Sequence, residues 1–120
     1  MSTDETYNGY TNRETWALNL HWQNDQGLYL ETLERARDYL RETYGADWAD
    51  MPADEMQGAA YGVGELIRDH WEAQCESWSE ETGEPTPEIL ELMRRDVGSW
   101  WRVDVAEIGA AVVESLGIES

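Results

Sequence analysis

Residues 7–27 read YNGYTNRETWALNLHWQNDQG and form the least ordinary stretch of this 120-residue chain. All four asparagines of the chain lie inside it, at positions 8, 12, 19 and 24. An Asn side chain offers one acceptor and two donors to nearby backbone groups, so this clustering indicates specific hydrogen-bonding roles. Apolar residues run nearly all round the segment at helical spacing, which is typical of a helix buried by several neighbours.

The bounds of this central helix can be predicted from its flanking polar residues. Thr11 and Glu14 have the spacing of a capping box, which predicts a helix that begins at Asn12. Its end is predicted by three residues that favour turns or a left-handed backbone, Asn24, Asp25 and Gly27.

The run YNG-Y-TN-x-ETW-x-x-NL, followed by a short turn and GLY, resembles a family of small uncharacterised proteins of phages, plasmids and some archaeal genomes. The matching residues are Tyr7, Asn8, Gly9, Thr11, Asn12, Glu14, Thr15, Trp16, Asn19, Leu20, Gly27, Leu28 and Tyr29. A weaker likeness lies between Val103 and Ile108. The resemblance implies an origin in a mobile element and brings no established activity or catalytic residue. We interpret the motif first as a structural signature of the fold.

The remaining sequence predicts an all-α fold, a compact bundle of about five helices in a single domain. Apolar residues recur every three or four positions in four further segments. These segments are 28–44, 53–78, a helix starting at Thr86 and Pro87 and running through Trp100, and a last helix whose core face is Val105, Ile108, Val112 and Leu116. The helical domain is predicted to span residues 7–117, between a disordered acidic tail at 1–6 and a short tail at 118–120.

Two features of the third helix bear on its packing. Gly58, Gly62 and Gly64 weaken its first half, and they either allow a close helix crossing or mark a kink or break. The segment EETGEPTP at 80–87 predicts the linker that follows it.

Composition limits the classes of function. The chain has 26 Asp and Glu against eight basic residues, all of them Arg, a net charge of −18. Such a field repels nucleic acid and anionic membranes, and it attracts a basic partner. With one Cys, no signal peptide and no long apolar run, we expect a soluble, cytoplasmic protein.

Catalytic and metal sites find little support. His70 and Cys75 are five positions apart, whereas one helix face aligns residues three or four apart. Di-iron bundles use Glu-x-x-His pairs, whereas Leu18 stands three positions before His21 on the central helix. We therefore expect packed or half-exposed histidines, no enzymatic activity, no metal and no cofactor.

Two acidic stripes are the candidate partner-binding surfaces. They comprise Glu31, Glu34, Asp38 and Glu42 on the second predicted helix, and Glu65, Asp69, Glu72, Glu76 and Glu80 on the third. The adjacent Trp100 and Trp101 cannot both point inward, so Trp101 is added as an exposed anchor. A stripe carries one charge per about 5 Å, whereas duplex DNA carries one per about 1.7 Å. Imitation of DNA would therefore need several faces or a homodimer.

The leading hypothesis is a non-enzymatic protein of a mobile element that blocks a host defence system, restriction or CRISPR. Its acidic faces would imitate nucleic acid and occupy the basic surface of a nucleic-acid-binding protein. The alternative is a salt-adapted accessory protein whose acidity serves solvation only. In that case the segment from Tyr7 to Trp22 would make a specific protein contact.

Overall fold

The computed structural model describes residues 10–119, with side chains up to Gly117. Within these residues the chain forms five α-helices: α1 (Arg13–Asn24), α2 (Gln26–Tyr44), α3 (Ala53–Thr82), α4 (Glu88–Val97) and α5 (Val105–Glu119). Two short 3-10 helices, Trp48–Asp50 and Trp100–Arg102, lie in the connections. The predicted all-α, single-domain bundle is confirmed. The predicted tail at 1–6 and Ser120 lie outside the described residues, and the backbone of residues 118 and 119 continues α5.

The start of α1 corrects the predicted capping box. Asn12, not Thr11, is the N-cap, and its Oδ1 accepts a hydrogen bond from the Thr15 amide at 2.9 Å. The Thr11 hydroxyl instead donates to Asp104 Oδ2 at 2.9 Å. Asn is at least as good a cap as Thr, which leaves the Thr hydroxyl available for a tertiary contact.

A single residue separates α1 from α2. Asp25 has an extended backbone, and its Oδ1 accepts a hydrogen bond from the Leu28 amide at 3.0 Å, which caps α2. The prediction that Gly27 ends α1 was therefore wrong, because Gly27 already lies inside α2. At its other end α2 stops at Gly45, as predicted, with φ at 96°.

The longest helix, α3, is unbroken over 30 residues. At about 1.5 Å per residue its length is about 45 Å, and the molecule measures 45 × 41 × 22 Å along its principal axes. It therefore spans the whole protein. Of the two predicted roles for the glycines, a close helix crossing or a kink, Gly64 has the first, because the backbone of α5 crosses α3 against it. The helix ends at Gly83, where φ is 75°, so the linker is shorter than predicted.

All five helices contribute to one core, in which α2, α4 and α5 pack against α3, and α1 packs against α2, α4 and α5. The predicted face of α5 is confirmed, with Val105, Ile108, Val112 and Leu116 all buried. In α1 the deeply buried apolar residues are Ala17, Leu18 and Trp22, whereas Leu20 is exposed. Trp48 and Met51 pack against the core from the α2–α3 connection.

Candidate partner-binding surface

The predicted residues of α3 form one solvent-facing row, here called the acidic stripe: Glu65, Asp69, Glu72, Glu76 and Glu80. All are exposed except Glu72, which is partly buried. Within residues 10–119 only Asp69 of this set has an ion pair, with Arg68 at 3.0 Å. The stripe lies on the side of α3 away from the buried residues Val63, Ile67 and Trp71. The structure therefore places these five carboxylates together on an open surface.

Charge is distributed very unevenly between the two candidate helices. Helix α3 carries eight Asp and Glu against one Arg, a net charge of −7. Helix α2 carries four Asp and Glu against three Arg, a net charge of −1. The predicted stripe of α2 is thus not an equivalent anionic surface, although its sequence periodicity is the same.

The acids of α2 are partly neutralised by neighbours. Glu31 pairs with Arg35 and Asp38 pairs with Arg41, each at 3.4 Å. Glu31 Oε2 also lies 2.8 Å from His70 Nε2 of α3, which joins the two helices. Glu34 and Glu42 are exposed and have no ion pair within residues 10–119. Sequence periodicity placed all four residues on one face but did not give their cationic partners.

Trp101, the predicted anchor, is exposed as expected. Its relative accessibility is 79%, whereas the adjacent Trp100 is only 5% exposed. Both belong to the 3-10 helix after α4, and the guanidinium carbon of Arg102 lies 5.7 Å from the Trp101 ring centroid. This contact is within the range of a cation–π interaction. Trp101 therefore lies on a different element from the acidic stripe.

Both histidines are packed, as predicted, and each has a carboxylate partner on another helix. His21 Nε2 of α1 lies 2.8 Å from Asp96 Oδ2 of α4, and this hydrogen bond lowers the pKa of Asp96. Burial and the nearby Arg35 lower the pKa of His70. The contact with His21 gives Asp96, a partly buried acid of α4, a partner on α1.

Cys75 is part of the hydrophobic core. It is buried, and its thiol donates to the carbonyl oxygen of Leu90 at 3.3 Å. Burial raises the pKa of the thiol to about 12. Because the thiolate is the reactive form, this side chain acts as a small apolar core residue.

The N-terminal motif contacts the segment that precedes and begins α5, and we call this set of contacts the clamp. Asn12 Nδ2 donates to the Arg102 carbonyl oxygen at 2.8 Å, while the Asp104 amide donates to Thr15 Oγ1 at 2.8 Å. The Thr11 amide and hydroxyl donate to side chains of the same segment, Glu107 Oε1 and Asp104 Oδ2. The clamp thus joins residues about 90 positions apart.

The clamp was missed by sequence reasoning, although one signal pointed to it. The weaker likeness between Val103 and Ile108 falls on the segment that the motif contacts. Elsewhere in the motif, Asn19 Oδ1 accepts a hydrogen bond from Trp22 Nε1 at 2.7 Å inside the core. Asn12 and Asn19 therefore have the specific hydrogen-bonding roles that their clustering predicted, and Asn8 lies outside the described residues.

A family model described as a family of unknown function, DUF7249, matches residues 3–62, which is half of the chain. The chain belongs to this family. No curated protein and no solved structure matches it. The DUF7249 match includes the N-terminal motif, α1, α2 and the beginning of α3, and it ends before the acidic stripe begins at Glu65. Membership therefore bears on the motif and the fold, and the stripe has to be argued from its own geometry.

Two further features are absent from the residues that the structure describes. No helix among residues 10–119 combines the length and the apolar character needed to cross a bilayer. In the same residues no group of three or more His, Cys, Asp or Glu side chains is arranged to hold a metal ion.

Proposed function

We propose that this protein is a non-enzymatic binding protein whose acidic stripe engages a basic surface of another protein. The observation that supports this proposal is the contrast between α3, with a net charge of −7, and α2, with a net charge of −1. Acidity that served solvation alone has no reason to concentrate on one helix.

The stripe also opposes the stability of its own helix. Glu72, Glu76 and Glu80 follow one another at four-residue steps, and like charges at that spacing destabilise a helix by about 0.2–0.5 kcal/mol per pair. Helix α2 has the same spacing at Glu34, Asp38 and Glu42, but its three Arg residues lie among these acids and offset part of the repulsion, as in the pair of Asp38 with Arg41. A basic partner that contacts α3 would offset the repulsion between the carboxylates of the stripe, because its cations would attract each of them. This favours partner binding as the role of the stripe.

The partner that fits best is a nucleic-acid-binding protein of a host defence system, restriction or CRISPR. From Glu65 to Glu80 the stripe extends about 22 Å along one side of α3, and it presents negative charge to a groove that normally holds phosphates. The stripe is less dense than duplex DNA, so it acts as a partial mimic that competes for part of the groove. The likeness of the N-terminal motif to proteins of phages and plasmids supports an origin in a mobile element.

A matched pair of variants tests the site. One variant combines Glu72→Gln, Glu76→Gln and Glu80→Gln on α3, and the control combines Glu34→Gln, Asp38→Asn and Glu42→Gln on α2. Each removes three negative charges. We expect the wild type to inhibit DNA cleavage by at least one nuclease in a panel of restriction and CRISPR enzymes. The α3 variant should require about tenfold more protein for the same inhibition, and the control should act like the wild type.

Two outcomes would contradict the proposal. An equal loss of inhibition in both variants would mean that inhibition depends on the total charge of the protein and not on the acidic stripe. Absence of inhibition across the panel would reject the proposed class of partner.

Salt adaptation is the second candidate, because exposed acids also lie away from the stripe, at Asp47, Asp50 and Glu114. It is tested by thermal unfolding, followed by circular dichroism, at about 0.1 M and then multi-molar KCl. A protein that folds only in molar salt supports salt adaptation. Cooperative melting at low salt removes the need for it.

A further inference from the structure

We propose a second binding site, a cleft between α2, α3 and the start of α4 that takes one arginine side chain of a peptide or protein. The cleft has a volume of about 230 Å³. Its walls are Asp25, Gly27, Leu28, Glu31, Trp71, Gln74, Trp78, Pro87, Ile89 and Leu90. Trp71 and Trp78 lie on the side of α3 away from the acidic stripe, so this site does not depend on the proposed function.

The walls of the cleft are aromatic and aliphatic. Trp71 is nearly fully buried, and its Nε1 donates to Thr32 Oγ1 at 3.0 Å, which fixes the position of the ring. Trp78 is partly buried and packs against the core about two helical turns further along α3. Leu28 and Leu90 come from the two other helices. The cleft therefore has a preformed apolar interior that can receive the methylene stem of a long side chain.

Two carboxylates give the cleft its charge. Asp25 uses Oδ1 to cap α2, and Glu31 uses Oε2 to contact His70 and Arg35. Within residues 10–119 the other oxygens, Asp25 Oδ2 and Glu31 Oε1, accept no hydrogen bond. Neither Arg35 nor any other Arg or His lines the cleft among the residues that the structure describes.

Size and chemistry together select the occupant. Pockets for cofactors and drug-sized ligands usually measure about 300–1,000 Å³, so this cleft is suited to a single side chain. Aromatic walls attract cations, and carboxylates bind the planar fork of a guanidinium group in particular. The net charge of −18 also raises the local concentration of cations. An arginine side chain matches the apolar walls and the two carboxylates at once.

The test titrates the ¹⁵N-labelled full chain with N-acetyl-arginine methylamide and follows the indole N–H signals of Trp71 and Trp78. The control ligand is the citrulline analogue, which has nearly the same shape without the charge. We expect saturable shifts of both indole signals with the arginine compound and at least about fivefold weaker binding of the citrulline compound. Equal binding of the two compounds, or no shift with either, would overturn the proposal.

Two variants separate the charge from the fold. Asp25→Asn removes a carboxylate and keeps the cap, because Asn and Asp cap helices equally well. It should weaken binding of the arginine compound about two- to fivefold. Asp50→Asn removes the same charge from an exposed position outside the cleft and should leave binding unchanged. Equal effects of the two substitutions would show that only the total charge of the protein matters and would overturn the site.

Discussion

Gly64 of α3 and Gly109 of α5 lie at a helix crossing where the two backbones are in direct contact. A β-carbon on Gly64 would lie 3.0 Å from the Gly109 amide nitrogen and would overlap the carbonyl oxygen of Val105. A β-carbon on Gly109 would in turn overlap the carbonyl oxygen of Ala60. Because backbone atoms cannot move aside as a flexible side chain can, α3 and α5 can pack this closely only with glycine at both positions.

Gly64→Ala should therefore lower the free energy of unfolding by about 3 kcal/mol, the upper part of the usual range for overpacking. Gly58→Ala is the matched control in the same helix, because its β-carbon would meet open space. It should stabilise the protein by about 1 kcal/mol through helix propensity. Urea unfolding followed by circular dichroism measures both. A neutral Gly64→Ala would mean that the two helices can separate without loss.

The adjacent tryptophans provide a second prediction. Trp100→Ala should cost about 3–5 kcal/mol of unfolding free energy, because it empties a buried site. Trp101→Ala should change stability by less than about 0.5 kcal/mol, since that ring is exposed. Thermal and urea unfolding of the two variants compare the same chemical change at neighbouring positions. A large loss with Trp101→Ala would assign that ring a role in the fold.

Sequence periodicity was sufficient to predict the helices and much of the core. The face of α5 from Val105 to Leu116 follows from spacing alone, because it depends only on residues close in the chain. Sequence could not show that Thr11 contacts Asp104, or that Glu31 contacts His70, since these pairs come together only when helices pack. The acidic stripe was predictable as a face, and its contrast with α2 follows from counting the Arg residues of the two segments. The structure adds which acids of α2 those Arg residues pair with.

Charge repulsion along the stripe gives a third prediction. Glu76→Gln removes the charge repulsion of Glu76 with Glu72 and with Glu80. It should raise the free energy of unfolding by about 0.4–1 kcal/mol at low salt. Glu31→Gln should lower it by about 0.5–1 kcal/mol, because Glu31 pairs with Arg35 and His70. Urea unfolding at low and at molar KCl checks both. The gain from Glu76→Gln should vanish at high salt, and a gain that persists there cannot be electrostatic.

His70 gives a prediction about pH. Burial and Arg35 lower its pKa below the ordinary 6.5, despite the opposing effect of Glu31, so the unfolded chain binds a proton at a higher pH than the native state. The stability that His70 contributes is fully present above pH 6.5, and it is lost as the pH falls towards the pKa of His70 in the native state. The urea concentration at the unfolding midpoint should decrease as the pH is lowered from about 7.5 to about 5.5. His70→Gln should make this decrease smaller. Identical profiles for both proteins would contradict it.

The clamp gives the last prediction. Asn12→Ala removes the cap of α1 and the hydrogen bond to the Arg102 carbonyl oxygen, and it should cost about 1–2 kcal/mol of unfolding free energy. Asn24→Ala, in the same motif stretch, alters an exposed side chain and should cost less than about 0.5 kcal/mol. Chemical denaturation measures both. Equal small effects would mean that the clamp contributes little to stability.

The clamp also has a consequence for the order in which the chain folds. Asn12 and Thr15 are synthesised early, and their partners between Arg102 and Glu107 leave the ribosome about 90 residues later. Until then the Asn12 amide and the Thr15 hydroxyl have only water or local groups as partners, and α1 cannot attach to α5. Contacts so distant in sequence raise the contact order and slow folding. The N-terminal half that carries the family match is therefore expected to reach its native packing only after residues 102–107 have been synthesised.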